Sequence, residues 1–340
     1  MRQVSVIVPC RNENAHIAAF CAGVLGQALP EGWSLQVLIA DGTSDDGTRE
    51  QLQQLCARDP RLELLDNPRR IVSTALNRAI EAACGEVIVR MDVHTAYAPD
   101  YVAECLRALH DSGATCVGGA WQPTGSKWPQ RAIAKAFASR FGSGGAASRR
   151  ADYSGPVDTV YLGAWRREAL VGLGGFDEDL VRNQDDELNL RIVRSGGTVW
   201  QSAAIRSWYT PRGSFGALFR QFYQYGYWKV PVIRKHRLPA SPRQLVPFAF
   251  VLVLAGLALL APWVRAAGLG LAAMLSIYAG AALVIAAALA SPLRDPRDTL
   301  SIAWSFVCMH FGYGLGFGRG LLDVALLGRL PGKGATRLTR

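Results

Sequence analysis

The chain has 340 residues, 50% of them apolar, with 37 basic against 27 acidic side chains and a formal net charge of +10. It exceeds one average domain, and its long charge-free runs all lie in the last hundred positions, so the reading is a globular part at 1–240 and a membrane part at 241–340. The positive charge does not mark a nucleic-acid binder, because much of it flanks the apolar runs and no interleaved aromatic and basic stripe occurs.

The chain starts with neither a long apolar stretch nor a small-residue cleavage site, so the globular part is expected in the cytosol. Seven cysteines without a Cys-x-x-Cys pair suit the core of a protein in a reducing compartment. The first hundred residues alternate β-branched runs with amphipathic stretches, the pattern of a parallel sheet covered by helices. Strands are expected at 4–8, 35–40, 62–65 and 87–91, and helices at about 15–25, 48–57 and 71–83. A helix from 98 to about 110 and a strand at 115–119 follow. The glycine-rich stretch 142–150 reads as a flexible loop.

In such sheets ligands bind beyond the carboxyl ends of the strands, so the polar clusters there are the candidates. The first strand ends in Pro9-Cys10-Arg11-Asn12-Glu13, which offers hydrogen-bonding groups for a base or ribose, although Asn12 could equally be a helix cap. The second ends in Asp41, with Asp46 in the glycine-rich turn that follows; a carboxylate at a strand end can take a ribose hydroxyl, while Asp and Gly also form turns everywhere. The fourth runs into Asp92-Val93-His94. Two residues apart on extended backbone, these side chains point to one side and can share an ion or a diphosphate, with the imidazole favouring Mn²⁺ over Mg²⁺. Further on, Asp185, Asp186 and Glu187 open a helix. The helix dipole accounts for acids there, and their crowding can raise one carboxyl toward the pKa of a general base.

Runs at 245–263 and 266–291 carry no charge, and at about 1.5 Å per residue each can cross a bilayer core of about 30 Å. Arg234, Lys235, Arg237 and Arg243 precede them and Arg294 and Arg297 follow, with only Arg265 between. The positive-inside rule therefore puts the short turn outside and the globular part inside. A third apolar element at about 300–327 holds His310 and glycines at 312, 314, 316 and 318. The basic tail, Arg329, Lys333, Arg337 and Arg340, argues for a broken or re-entrant element that returns it to the cytosol.

Taken together, the four clusters resemble the family 2 glycosyltransferases over about residues 3–235. That resemblance implies a GT-A fold: α/β, Rossmann-like, a mostly parallel sheet flanked by helices, here followed by C-terminal transmembrane helices. It further implies a metal-dependent, inverting hexosyltransferase with a nucleotide-sugar donor. Pro9, Asn12, Glu13 and Asp41 match the nucleoside-binding elements, Asp92 the metal and diphosphate element with His94 in place of its second acid, and Asp185 the catalytic base, with Gln184 where an acid is usual. Asp186, Arg212, Arg220, Gln221, Trp228 and Lys229 fall in regions that contact acceptor or diphosphate, although the family's Arg is missing from its Gln-x-x-Arg-Trp element; lipid head groups are the alternative ligands there.

Asp92-Val93-His94, residues 160–167 and 183–188, and the glycine-rich His310 segment resemble the succinoglycan-type exopolysaccharide glucosyltransferases of the ExoA kind. This subgroup implies transfer of glucose from UDP-glucose to a polyprenyl-diphosphate-linked oligosaccharide at a bacterial inner membrane, with membrane lipids and other polysaccharide assembly proteins as partners. A polyprenyl-phosphate acceptor, a non-catalytic scaffold of an assembly complex and a soluble nucleotidyltransferase are the rival readings.

Overall fold

The first β-branched run forms β1 (Arg2–Cys10), in which Val4, Val6, Ile7 and Val8 are all fully enclosed. Burial of both faces is the condition of a parallel sheet covered on two sides. The computed structural model of the chain, which describes residues 2–291 and 295–329, shows such a sheet. β2 (Trp33–Asp41) and β4 (Val87–Arg90) pair parallel with β1, and β3 (Leu62–Asp66) pairs parallel with β2. α1 (Ile17–Leu25), α2 (Thr48–Arg58) and α3 (Val72–Ala82) make the crossovers.

After β5 (Thr95–Tyr97) and α4 (Tyr101–Ser112), the chain forms β6 (Cys116–Gly119), β7 (Gln122–Pro123), α5 (Gln130–Ala138), α6 (Arg140–Ser143) and β8 (Gly155–Pro156). β9 (Tyr161–Arg166), α7 (Arg167–Gly172), α8 (Gln184–Arg194), β10 (Val199–Gln201) and β11 (Ser207–Tyr209) follow. The main sheet is ordered β3-β2-β1-β4-β9-β6-β10-β8, and a smaller one β5-β11-β7. β9 enters antiparallel between β4 and β6, a strand the sequence pattern did not announce. Register sets the site: Cys10 lies opposite Asp41 and Ile7 opposite Arg90, so the ends of β1, β2 and β4 open on one edge. One face of the sheet packs Val4, Val6 and Val8 with α1 and α4; the other packs Ile7, Leu38 and Ile88 with Leu76 and Leu188.

The chain divides into two compact units, Met1–Gln122 with Ala147–Tyr209, and Pro123–Ala146 with Thr210–Arg340, rather than at one cut near 240. The second unit contains α9 (Phe215–His236), α10 (Val246–Leu260), α11 (Arg265–Ala290) and α12 (Pro296–Gly320). Three helical stretches among the described residues, Pro242–Leu260, Arg265–Ala290 and Pro296–Leu326, are long and apolar enough to cross a membrane. Only 6% and 11% of the first two are buried by protein, against 61% of the third, so the first two turn their apolar side chains outward. The third shows no break of the kind expected: α12 is continuous and runs on into a π-turn, Leu321–Leu326.

The physical reason is its neighbours. Gly312, Gly316 and Gly320 lie against α9, where a Cβ on Gly316 would sit 2.0 Å from the Tyr223 carbonyl oxygen, while Gly314 faces the Pro247 carbonyl oxygen in α10. The alternate glycines thus serve close packing on two faces, which offsets their poor intrinsic helix propensity. At the start of α12, Arg131 bonds Asp295 (2.6 Å) and Asp298 (3.0 Å), holding α5 to it. Arg294 and the tail residues Lys333, Arg337 and Arg340, on which the topology argument partly rested, lie outside the described residues.

Candidate functional site

The site builds from the loops that close the strand ends. After β1, Asn12 adopts φ +55° and its side-chain amide exchanges hydrogen bonds with Asp45, the amide nitrogen donating to Asp45 Oδ1 at 2.9 Å and the Asp45 N–H donating to Asn12 Oδ1 at 3.1 Å. The Glu13 N–H donates to Thr48 Oγ1 at 2.7 Å. Asp46 accepts from the Thr48 hydroxyl (2.5 Å) and the Asn14 N–H (3.2 Å). These bonds stitch the loop after Pro9 to the loop after β2.

Asp41 is fully enclosed; Oδ1 accepts from the Ser44 hydroxyl at 2.5 Å and Oδ2 from Arg49 at 3.3 Å. Arg11 lies over Gly42, with its Nε buried and without a hydrogen-bond partner among the described residues. A buried donor left unpaired is costly, so Arg11 is a group waiting for an acceptor.

At the end of β4 the geometry tightens. Arg90 is 4% exposed and bonds both oxygens of Asp92, Nε to Oδ1 at 3.0 Å and Nη2 to Oδ2 at 3.1 Å, while Nη1 donates a short hydrogen bond to Asp185 at the start of α8. One buried guanidinium therefore holds together the two carboxylates that the sequence singled out separately. Burial works against its charge, but Asp185 and Asp92 outweigh that and hold its pKa above the ordinary arginine value. Tyr97 fixes the turn, its hydroxyl accepting from the Asp92 N–H at 2.6 Å.

Desolvation raises the Asp185 carboxyl from 3.8 to about 6; the Arg90 charge opposes the rise and the negative charges of Asp92 and Asp186 add to it. Two of the three acids at the start of α8 have separate fates. Asp185 meets Arg90, whereas Glu187 is fully buried and pairs with Arg191 at 2.6 Å, whose guanidinium also bonds the Gly175 carbonyl at 2.9 Å.

His94 is 45% exposed, and its Nε2 lies 2.7 Å from Glu13 Oε1. Among the described residues no three His, Cys, Asp or Glu side chains form a cation cage. A Mg²⁺ or Mn²⁺ ion would take Asp92, which keeps 30% of its side chain exposed, and His94 from the protein, and its other ligands from diphosphate and water. That donor set fits an ion that arrives with a nucleotide.

Arg212 precedes α9 and Arg220, Gln221, Trp228 and Lys229 lie on it, all in the second unit. Trp228 and Lys229 are buried there, and Gln221 donates to the Tyr225 hydroxyl at 2.9 Å. The stretch 142–150 is more regular than its composition suggested, ending in a tight turn from which Arg149 stacks 4.0 Å over Trp121. The sequence reading passed over Arg90 and the stack of Trp121 on Tyr161, 5.5 Å apart. Arg90 had a legible signal: a charge inside a strand buried on both faces demands carboxylates nearby.

The mixed, mainly parallel sheet flanked by helices is a GT-A-like fold, the architecture of glycosyltransferases. The solved mannosyltransferase PcManGT from Pyrobaculum calidifontis, in complex with GDP-Man and Mn²⁺, shares it with a TM-score of 0.60 over 92% of this chain and 87% of that one, at 22% identity. The model of the family described as glycosyl transferase family 2 matches residues 5–173. The succinoglycan biosynthesis protein ExoA of Rhizobium meliloti is 34% identical over 94% of both chains. The dolichyl N-acetyl-alpha-D-glucosaminyl phosphate 3-beta-D-2,3-diacetamido-2,3-dideoxy-beta-D-glucuronosyltransferase of Methanococcus voltae is 25% identical over 75% of this chain and 80% of its own. The chain belongs to glycosyl transferase family 2.

Proposed function

We propose that the protein is a membrane-bound, inverting hexosyltransferase of exopolysaccharide biosynthesis that moves glucose from UDP-glucose to a polyprenyl-diphosphate-linked oligosaccharide. The observation that carries the reading is the Asp92–Arg90–Asp185 bridge, which sets a diphosphate-side carboxylate beside a carboxyl whose pKa of about 6 suits a base. The acceptor hydroxyl oxygen attacks the anomeric carbon; its proton passes to Asp185, the bond from that carbon to the diphosphate oxygen breaks, and the nucleoside diphosphate leaves. Asp92 and His94 would hold a divalent cation, which when bound would supply charge neutralisation for the departing diphosphate. Arg11, with its unpaired Nε, is the donor offered to the nucleotide.

The sugar and the acceptor rest on the likeness to the Rhizobium meliloti ExoA protein, and a lipid-borne acceptor also on the name of the Methanococcus voltae relative. A chain tethered in the membrane meets a carrier that cannot leave it. The globular unit is read as cytosolic and the whole as a multi-pass protein of a bacterial-type inner membrane. Labelled UDP-glucose, other UDP-sugars and GDP-mannose offered to membranes with extracted lipid acceptors, followed by mass analysis of the product, test the proposal. An extended oligosaccharide on a diphosphate is expected; a single sugar on a monophosphate would point to the polyprenyl-phosphate reading, and no turnover of any donor to a scaffold.

A further inference from the structure

Glu13 falls in the loop that the family resemblance assigns to the nucleoside, yet it is 2% exposed and cannot meet a nucleoside as the chain is folded. A carboxylate that deeply enclosed persists only with a partner. One partner is His94: Oε1 lies 2.7 Å from Nε2, and the Glu13 backbone is itself pinned through Thr48. The imidazole is braced edge-on by the ring of His16, 5.5 Å away. Its second nitrogen, Nδ1, makes no hydrogen bond among the described residues, and almost half of the side chain is open to solvent.

A hydrogen bond from one ring nitrogen to a carboxylate is what fixes the tautomer and orientation of a metal-binding histidine. With Nε2–H donated to Glu13, the Nδ1 lone pair is the one left for a cation. We propose that Glu13 is a positioning residue, not a nucleoside contact: it holds His94 in the tautomer that offers Nδ1, beside Asp92, as a nitrogen ligand for Mn²⁺. The inference rests on the assignment of Asp92 and His94 to the cation. It also gives that cation a preference, since imidazole suits Mn²⁺ better than Mg²⁺.

The test uses the full chain without a histidine tag, in detergent, titrated with Mn²⁺ with and without UDP, with electron spin-echo modulation to detect nitrogen bound to the ion. The unsubstituted protein should show nitrogen coupling, and His94→Gln should lose it. Glu13→Ala should weaken Mn²⁺ binding about 10- to 100-fold, whereas Glu13→Gln, whose amide oxygen still accepts from Nε2–H, should keep most of the affinity and the coupling. Mn²⁺ bound through oxygen alone in the unsubstituted protein, no Mn²⁺ binding at all, or a Glu13→Ala protein with unchanged coupling and affinity would each overturn the proposal. Should Glu13→Ala fail to fold, the unsubstituted spectrum and His94→Gln decide. Nitrogen-coupled Mn²⁺ without sugar transfer would remove the functional reading and leave this one; transfer with oxygen-only Mn²⁺ would do the reverse.

Discussion

Arg90 joins the two carboxylates of the proposed site and moderates the pKa of one of them. If Asp185 is the base, it must be deprotonated to act, so kcat/KM, which reports the free enzyme, should rise with pH through about 6 and level off above it, falling to roughly a tenth at pH 5. Asp185→Asn should abolish transfer and remove that limb while UDP binding, followed by calorimetry, stays near normal. Arg90→Met removes the positive charge that lowers the Asp185 pKa, so any residual activity should show its limb displaced above pH 6. The same change leaves two carboxylates without their shared partner. It should cost about 3 kcal/mol, the low end for a broken buried pair because both acids keep about a third of their side chains in solvent; chemical unfolding measures it. Asp92, His94 and Asp185 were legible because polar residues follow buried strands or open a helix. Arg90 was passed over: its charge in a buried strand signals that carboxylates must be near, but not that one of them is Asp185, 95 residues away.

At the level of elements, β1 to β4 and their crossovers were legible within a few residues, since runs such as Val4–Val8 have no reading other than a buried strand. β9 was not: Tyr-Leu-Gly-Ala-Trp-Arg lacks alternation, and Leu162 and Gly163 both take positive φ, distorting the strand where it pairs with β6. α9 escaped because Pro231 interrupts a mixed aromatic and polar stretch that only packing against α12 makes helical. The break expected from the basic tail does not occur at the glycines of α12, which instead sit in close contact with α9 and α10. Gly316→Ala should therefore separate α9 from α12 and lower stability in detergent by about 1–3 kcal/mol, as overpacking does. Gly280→Ala in α11, where a Cβ would meet nothing within 4 Å, should be neutral or mildly stabilising. Equal thermal shifts for the two variants would deny the close helix contact its importance.

For the whole molecule, the likeness to the Rhizobium meliloti ExoA protein runs over 94% of both chains, so the apolar third belongs to the shared architecture and is not an appended anchor. Its topology can be read chemically. Cys84 is exposed in the globular unit, while five of the other cysteines are buried and Cys56 is partly covered. Trp263, 76% exposed, stands in the turn between α10 and α11 beside Arg265, the one charge there. If the basic flanks keep the globular unit inside, a membrane-impermeant maleimide should leave the protein unlabelled in intact cells and label Cys84 after lysis. A Cys84→Ser, Trp263→Cys protein should show the opposite behaviour, reacting in intact cells because the turn lies outside. Labelling of Cys84 in intact cells would invert the orientation. It would also separate the site from any cytosolic supply of nucleotide-sugar, so the orientation and the proposed donor stand or fall in one experiment.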